Sequence, residues 1–109
     1  MTLYENKNEK EKALLISVDT GEFDAEVSID ELEELTNTAG AEVIGKIIQK
    51  KDTPEKATFV GVGKLAEIIA FCKNEDVDLL VFDSELSPTQ QRNLEKKLKI
   101  KIIDRTALI

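Results

Sequence analysis

A short run of glycines with one lysine, "TFVGVGKL" at residues 58–65, is the stretch whose residue types and spacing could bind a phosphate. Glycine-rich turns that open a helix hold anions, because their backbone amides point at the ligand and a lysine adds positive charge. A nucleoside-triphosphate loop aligned on Gly63 and Lys64 would need a glycine at position 58 and a hydroxyl at position 65. Thr58 and Leu65 stand there instead, so this pattern fails at two positions.

The dinucleotide-binding pattern Gly-x-Gly-x-x-Gly fails in the same stretch. Counted from Gly61 and Gly63, its third glycine position holds Ala66. Lys64 stands where a small neutral residue is usual, and Asp83, which ends the next long apolar run about twenty residues on, opens an acidic loop with Glu85. Three interpretations stay open: a tight turn that lets a helix pack under the sheet, a single anion or RNA phosphate held by the amides of residues 63–65, and nucleotide catalysis. Two glycines would also permit positive φ at this turn.

Other chemistry is limited by what the composition lacks. With one cysteine and no histidine, neither a zinc site nor a histidine-based triad has its ligands or base, so we expect no metal site and no catalytic residue. Cys72 lies on the apolar stripe of a predicted helix, which favours a small buried hydrophobe over a reactive thiol. No apolar run approaches the roughly 20 residues of a membrane span, so we expect a soluble, cytoplasmic protein.

Charge is unevenly distributed along the chain. The formal net charge is −7, yet residues 92–105 contain six basic residues against two acidic ones. One interpretation is the solvated end of a helix, where lysines are favoured by the helix dipole. The other is a basic edge that faces RNA, in which Arg92, Lys96 and Lys99, spaced four and three apart, would form one face along a phosphate backbone.

The apolar pattern predicts alternating strands and helices. Residues 1–11 are polar and are predicted to be a disordered leader, while the domain occupies residues 12–109. Apolar runs predict strands at 13–18, 41–50, 77–83 and 100–104, with a short strand through Phe59 and Val60, and Gly45 marks a bulge or a close approach. We therefore expect an α/β fold: a three-layer sandwich with a mostly parallel sheet of four to five strands and helices on both faces.

Capping residues place the predicted helices. Ser28 with Glu31 three residues on predicts a capping box at the start of the first helix, and Gly40 predicts its end. The second helix begins near Gly63, and the third has Ser87 as N-cap followed by proline.

Three segments in this order and spacing resemble a known family: "TFVGVGKLAEI", "DLLVFDSELSPTQQRNLEKKL" and "IKIIDRTALI". They are similar to the N-terminal domain of the HflX family of ribosome-associated translational GTPases, over residues 13–109. In that family the last motif leads into a long helical hairpin and then a GTPase domain, both absent here. The apolar ending "RTALI" also lacks a helix stop signal. We therefore expect a domain truncated before the hairpin.

The resemblance implies a function. It implies binding to the large ribosomal subunit and its rRNA, action on stalled or stressed ribosomes, and GTP hydrolysis with Mg²⁺ in the missing domain. We expect this chain to be non-catalytic by itself and to hold no cofactor. Two alternatives stay open: a domain that binds or hydrolyses ATP through the Gly61–Lys64 turn and Asp83, and a regulatory module that docks on its own GTPase domain.

The motif residues divide into two groups by chemistry. The candidate RNA or anion contacts are Gly61, Gly63, Lys64, Gln91, Arg92, Asn93, Lys96, Lys99 and Arg105. The residues with a motif or structural role are Asp83, Leu86, Ser87, Pro88, Asp104 and Thr106. For Asp104 and Arg105, a mutual ion pair, a helix cap and a ligand contact at a strand's carboxyl end stay open.

Overall fold

Four strands and three helices alternate along the part of the chain that the structure describes, and a short 3₁₀ helix follows them. The computed structural model describes residues 10–108, so most of the predicted leader lies outside the described residues. The elements are β1 Lys12–Asp19, α1 Ala25–Thr38, β2 Glu42–Lys50, α2 Val62–Asn74, β3 Leu79–Phe82, α3 Pro88–Leu98, β4 Lys101–Asp104 and the 3₁₀ helix Arg105–Leu108.

The sheet is parallel throughout, with the strand order β2-β1-β3-β4. The central strand β1 carries an unbroken buried run from Ala13 to Val18, because a strand covered on both faces has no solvent side for polar residues. This confirms the predicted parallel sheet with four strands. None of the helices within residues 10–108 combines the length and apolar character that crossing a bilayer requires.

Helices cover both faces of the sheet, which confirms the three layers. On one face α1 packs Ile29 and Leu32 against Leu15 of β1 and Val81 of β3. On the other face α2 and α3 bury a larger cluster that includes Ile68. Helix α1 follows β1 and helix α3 follows β3, so two adjacent strands send their helices to opposite faces. The gap between the carboxyl ends of β1 and β3 is therefore a topological switch point.

Helix α1 begins four residues before the predicted start, and the predicted Ser28 cap is wrong. The Oδ1 atom of Asp24 accepts hydrogen bonds from the amides of Glu26 and Val27, both at 3.1 Å, which makes Asp24 the N-cap. Ser28 lies inside the helix and its hydroxyl bonds elsewhere, so the spacing to Glu31 forms no capping box here. At α3 the predicted cap is confirmed.

The predicted short strand at residues 59–60 is also wrong. Phe59 makes only an isolated antiparallel bridge with Glu55 and joins no strand of the sheet. Its φ is 70°, a left-handed conformation that costs a non-glycine residue roughly 1–3 kcal/mol. The ring is buried edge-on against Phe82, with ring centroids 5.4 Å apart. This packing holds the strained backbone in place.

Gly45 has both predicted roles. Ala13 pairs with Val43 while the next residue, Leu14, pairs with Gly45, so one residue of β2 is extra and forms a bulge. A Cβ atom at position 45 would lie 3.1 Å from Leu14 Cδ1 and 3.1 Å from Phe71 Cζ. The glycine therefore permits the close approach of α2 to the sheet.

Cys72 is buried in the α2 face of the core, as predicted. Burial raises the pKa of its thiol to about 11, so the thiolate that would react is scarcely formed at neutral pH.

Candidate functional site

A buried carboxylate joins three elements at the switch point. Asp83, the residue after β3, accepts hydrogen bonds at Oδ2 from the hydroxyl of Ser17 at 2.7 Å and from that of Ser28 at 2.9 Å. Ser17 lies in β1 and is fully buried, while Asp83 is 6% exposed. Buried polar groups need such partners, because each one left unpaired costs free energy. The motif residue Asp83 thus connects β3, β1 and α1.

Arg105 continues this polar network into the 3₁₀ helix. Its Nη2 atom donates to the carbonyl oxygen of Ser28 at 2.9 Å and lies 3.7 Å from the Glu31 carboxylate. Its Nε atom is buried and, within residues 10–108, has no hydrogen-bond acceptor. The side chain predicted as an RNA or anion contact is therefore largely engaged with α1.

Asp104 does not pair with Arg105 but acts as a cap. Its Oδ2 atom accepts from the amide of Leu86 at 2.9 Å, and Oδ1 accepts from the amide of Thr106 at 3.1 Å and from the Thr106 hydroxyl. Burial alone would raise the pKa of Asp104, but the bonds from Thr106, Leu86 and Ala107 outweigh it and lower that pKa. Of the three interpretations, the cap is the one that these contacts support.

A cavity of about 380 Å³, here called the edge cavity, opens beside this network at the carboxyl edge of the sheet. The residues around it are Phe23, Asp24, Val27, Ser28, Glu31, Asp83, Ser84 and Arg105. Helix α1 points its N-terminus toward this edge, where doubly wound folds commonly bind phosphate. Here the Asp24 carboxylate already accepts the amide hydrogens of that helix end, so the position is filled by a negative charge of the protein itself.

The glycine turn at the start of α2 differs in detail from the sequence prediction. Gly61 is the N-cap with φ of −68°, and neither glycine of the turn uses the positive φ that glycine would permit. The amide of Leu65 donates to the Gly61 carbonyl at 2.8 Å, which makes residues 62–64, not 63–65, the amides at the open helix end. Lys64 pairs with Glu67 at 2.9 Å. Binding an anion here would have to compete with that ion pair.

The two glycines of this turn have different structural needs. The Gly61 amide donates to Gln49 Oε1 at 3.0 Å, and a Cβ at position 61 would lie 3.1 Å from Gln49 Nε2. A Cβ at Gly63 would meet nothing within 4 Å. Next to it, Val62 is 86% exposed. Packing against the end of the Gln49 side chain therefore favours a glycine at position 61, whereas neither packing nor backbone conformation requires one at position 63.

The polar residues of α3 divide between internal and external roles. Gln91 donates to the Ile102 carbonyl, and Asn93 donates to the Ala57 carbonyl at 2.9 Å, so both side-chain amides attach α3 to its neighbours. By contrast, Arg92, Lys96 and Lys99 are exposed. Lys99 is the C-cap with φ of 58°, so its side chain departs from the helical spacing that the sequence suggested.

Leu86, Ser87 and Pro88 form the turn between β3 and α3. Leu86 is buried, Ser87 caps the helix in a reciprocal bond with Gln90, and Pro88 takes the first helical position. Ser17 was not predicted, and its one signal was a lone serine inside the apolar run of β1, whereas Ser28 was predicted only as a helix cap.

Comparison with known proteins supports the family that the three sequence motifs indicated. The family model described as GTP-binding GTPase N-terminal matches residues 26–109. The chain belongs to this family. A GTPase HflX of Caldanaerobacter subterraneus is 46% identical over 101 residues, which are 93% of this chain and 23% of that relative. GTPase HflX of Escherichia coli is 35% identical over 108 residues, 98% of this chain and 25% of that relative.

The HflX resemblance seen in the sequence is thus confirmed, and the chain spans about a quarter of the length of the curated relatives it matches. Solved structures show the same fold at low identity. A crystal structure of SsGBP with GDP matches with a TM-score of 0.66 at 22% identity, covering 90% of this chain and 27% of that one. A GTP-binding protein of Sulfolobus solfataricus with GDP matches with a TM-score of 0.63 at 23% identity, covering 90% and 28%.

Proposed function

We propose that this domain binds the large ribosomal subunit through its rRNA, as the N-terminal part of a cytoplasmic HflX-type GTP-binding protein that acts on stalled or stressed ribosomes. The domain is non-catalytic by itself. GTP and Mg²⁺ would be used in a domain outside this chain. Regulatory docking on that GTPase domain stays an alternative that no contact among residues 10–108 favours.

One observation carries the proposal: the exposed cations of α3 have no anionic partner in the described part of the chain. Arg92, Lys96 and Lys99 make no salt bridge within residues 10–108 and are grouped along α3 and its C-cap, whereas the equally exposed and unpaired Lys12, Lys50 and Lys73 lie on three separate elements. Unpaired cations on one element are available to neutralise phosphates, and phosphate contacts supply most of the affinity for nucleic acid. The acidic remainder of the chain favours a local contact over broad RNA affinity.

The start of α2 supplies a second point of support. Gly63 has no packing or backbone requirement, and the absence of a side chain there leaves room for a ligand to approach the open amides of residues 62–64. The pairing of Lys64 with Glu67 disfavours the alternative of an ATP site, because a nucleotide site would need that lysine for phosphate.

Co-sedimentation with purified large subunits at increasing salt tests the proposal. The triple variant Arg92→Gln, Lys96→Gln, Lys99→Gln should bind more weakly, and the slope of log K against log salt should fall by roughly 0.7–0.9 for each phosphate that the variant no longer neutralises. A matched triple variant at the exposed Lys12, Lys50 and Lys73 removes the same charge elsewhere and should change binding little. Equal effects of the two triple variants would contradict a contact through α3.

Nucleotide titration calorimetry tests the non-catalytic part of the proposal. The chain should release no heat of binding with GTP and Mg²⁺, and none with ATP and Mg²⁺. Tight GTP binding would contradict the proposal, and ATP binding abolished by Lys64→Ala would establish the alternative.

A further inference from the structure

We infer that Lys56, which lies outside the sequence motifs, extends the α3 contact to a second element, and that the RNA bound there is a double helix held by its phosphates. The inference rests on the proposed function, because it adds one residue and the class of RNA to the same contact. Three observations lead to it: the loop that carries Lys56 is fixed to α3, Lys56 has no acidic partner within residues 10–108, and this surface has no exposed aromatic ring.

The segment between β2 and α2, residues 51–61, is attached to α3 by two side-chain amides. Gln90 Nε2 donates to the carbonyl oxygen of Glu55 at 2.8 Å. Asn93 Nδ2 donates to the carbonyl oxygen of Ala57 at 2.9 Å. Lys56 stands between these two anchored residues, so its backbone is held against α3 before any RNA binds, which lowers the entropy cost of binding.

The two flanks of α3 differ in charge. Asn93 and Lys97 are four residues apart in the helix, so Lys97 lies on the flank that holds the anchored segment. On the opposite flank, Gln91 donates to the Ile102 carbonyl in β4 and, at 3.3 Å, to the carboxylate of Glu95, the acidic residue of α3. The carboxylate is thus on the β4 side, and the cationic surface of α3 continues toward the anchored segment.

Lys56 is available to an external anion. It is exposed and makes no salt bridge within residues 10–108. The carboxylate next to it in the chain, that of Glu55, is already paired with Lys51 at 2.7 Å. Asp52 lines a cavity beside the ends of β1 and β2, at the other end of the segment. A lysine fixed beside the exposed cations of α3 adds like-charge repulsion, which the phosphates of a nucleic acid would relieve.

The surface lacks the rings that bind unstacked bases. Helix α3 and residues 51–61 contain one aromatic residue, Phe59, whose ring is buried against Phe82. Sequence-specific binding of single-stranded RNA uses aromatic rings or arginine planes on which bases stack, and Arg92 is the one arginine of these two segments. Lysines instead act as point charges on phosphates, and double-stranded RNA is bound mainly through its shape and backbone. This surface therefore favours a paired RNA helix over an unpaired loop.

Fluorescence anisotropy with a labelled RNA duplex of about 16 base pairs tests the inference at low salt. The 109-residue chain should bind the duplex at least about tenfold more tightly than either single strand, and duplexes of different sequence should bind alike. Lys56→Gln should weaken duplex binding about threefold or more and lower the slope of log K against log salt by about 1. The matched control Lys12→Gln, at the start of β1 on the opposite edge of the sheet, should leave both quantities unchanged.

A double-variant cycle tests whether the anchored loop positions Lys56. Asn93→Ala removes no charge, so it should weaken duplex binding in the native chain but scarcely weaken it further in Lys56→Gln. Lys56→Arg should bind like the native chain. Lys56→Gln alters an exposed side chain and should fold like the native chain, so this arm remains decisive even if Asn93→Ala unfolds.

The outcomes separate this inference from the proposed function. Equal duplex binding by Lys56→Gln and the native chain would overturn the role of Lys56, and single strands that bind as tightly as the duplex would overturn the class of RNA. A chain that binds large subunits but not the duplex would overturn the inference alone. A chain that binds neither would overturn the proposed function with it.

Discussion

The Nη2 atom of Arg105 donates a 2.9 Å hydrogen bond to the carbonyl oxygen of Ser28, a residue 77 positions earlier in the chain. Through this bond the 3₁₀ helix that follows β4 is attached to α1, on the face of the sheet that α1 covers. The motif that contains Arg105 therefore has a structural role, whatever else it contacts.

Replacing Arg105 with alanine should lower the free energy of unfolding by about 1–3 kcal/mol, because the Ser28 carbonyl loses a charged donor in a part-buried place. Lysine at this position should recover only part of the loss, since it lacks the planar fork. Urea denaturation measures the free energy of unfolding of both variants. Arg92→Ala, at an exposed position, should change stability by at most about 0.5 kcal/mol, and an equal loss in the two variants would refute the assigned role of Arg105.

The buried pair of Ser17 and Asp83 should be energetically coupled. Asp83→Ala leaves the Ser17 hydroxyl buried without its acceptor, so we expect a loss of about 1–3 kcal/mol in the free energy of unfolding. The double variant with Ser17→Ala should lose clearly less than the sum of the single losses, because the fully buried Ser17 donor is then no longer stranded, while the part-buried Ser28 hydroxyl loses Asp83 in both variants alike. Strict additivity in denaturation experiments would show that the 2.7 Å bond contributes no coupling.

Asp104 should make stability depend on acid pH. Its pKa is lowered in the folded protein, so its contribution is fully present above the unfolded pKa of about 4 and is lost as pH falls through the folded pKa. The stability difference between the native chain and Asp104→Asn should therefore be constant near neutrality and shrink at low pH. Chemical denaturation of both proteins from pH 7 to pH 3 measures this difference. A gap that widens on acidification would contradict the lowered pKa.

Local patterns predicted the order of the four strands and three helices, together with one short strand at residues 59–60 that the sheet lacks. Apolar runs predicted the four strands, and apolar residues at helical spacing predicted the three helices, because burial on a sheet face imposes those periods. The start of α1 was misplaced because both Asp24 and Ser28 suit an N-cap. What decides between them is tertiary: the Ser28 hydroxyl bonds to Asp83, 55 residues away.

The hydrogen bonds around Asp83 also could not be predicted, because they join residues that are far apart in the sequence. Ser17 and Asp83 are 66 residues apart, and only the pairing of β1 with β3 brings them together. Phe59 is a further case, since its left-handed backbone is held by packing on Phe82 and leaves no local signal. The family motifs did identify the right segments, but chemistry alone did not tell which of their polar residues face inward, as Gln91 shows.

Alanine substitution at two glycines should separate a glycine that the fold requires from one that it does not. Gly45→Ala places a methyl group 3.1 Å from Leu14 Cδ1 and Phe71 Cζ, and relieving these contacts should cost about 1–3 kcal/mol of stability. Gly63→Ala meets no atom within 4 Å and lies in the first turn of a helix, so it should stabilise the protein by about 0.5–1 kcal/mol.

The effect of Gly63→Ala on ribosome binding should be opposite in sign to its effect on stability. If RNA approaches the open amides at the start of α2, Gly63→Ala should weaken binding to large subunits although it stabilises the fold, because the added methyl group occupies the surface that the glycine leaves open. Thermal unfolding and co-sedimentation on the same preparation measure the two effects. A Gly63→Ala protein that is more stable and binds as tightly as the native chain would show that this turn is not part of the contact.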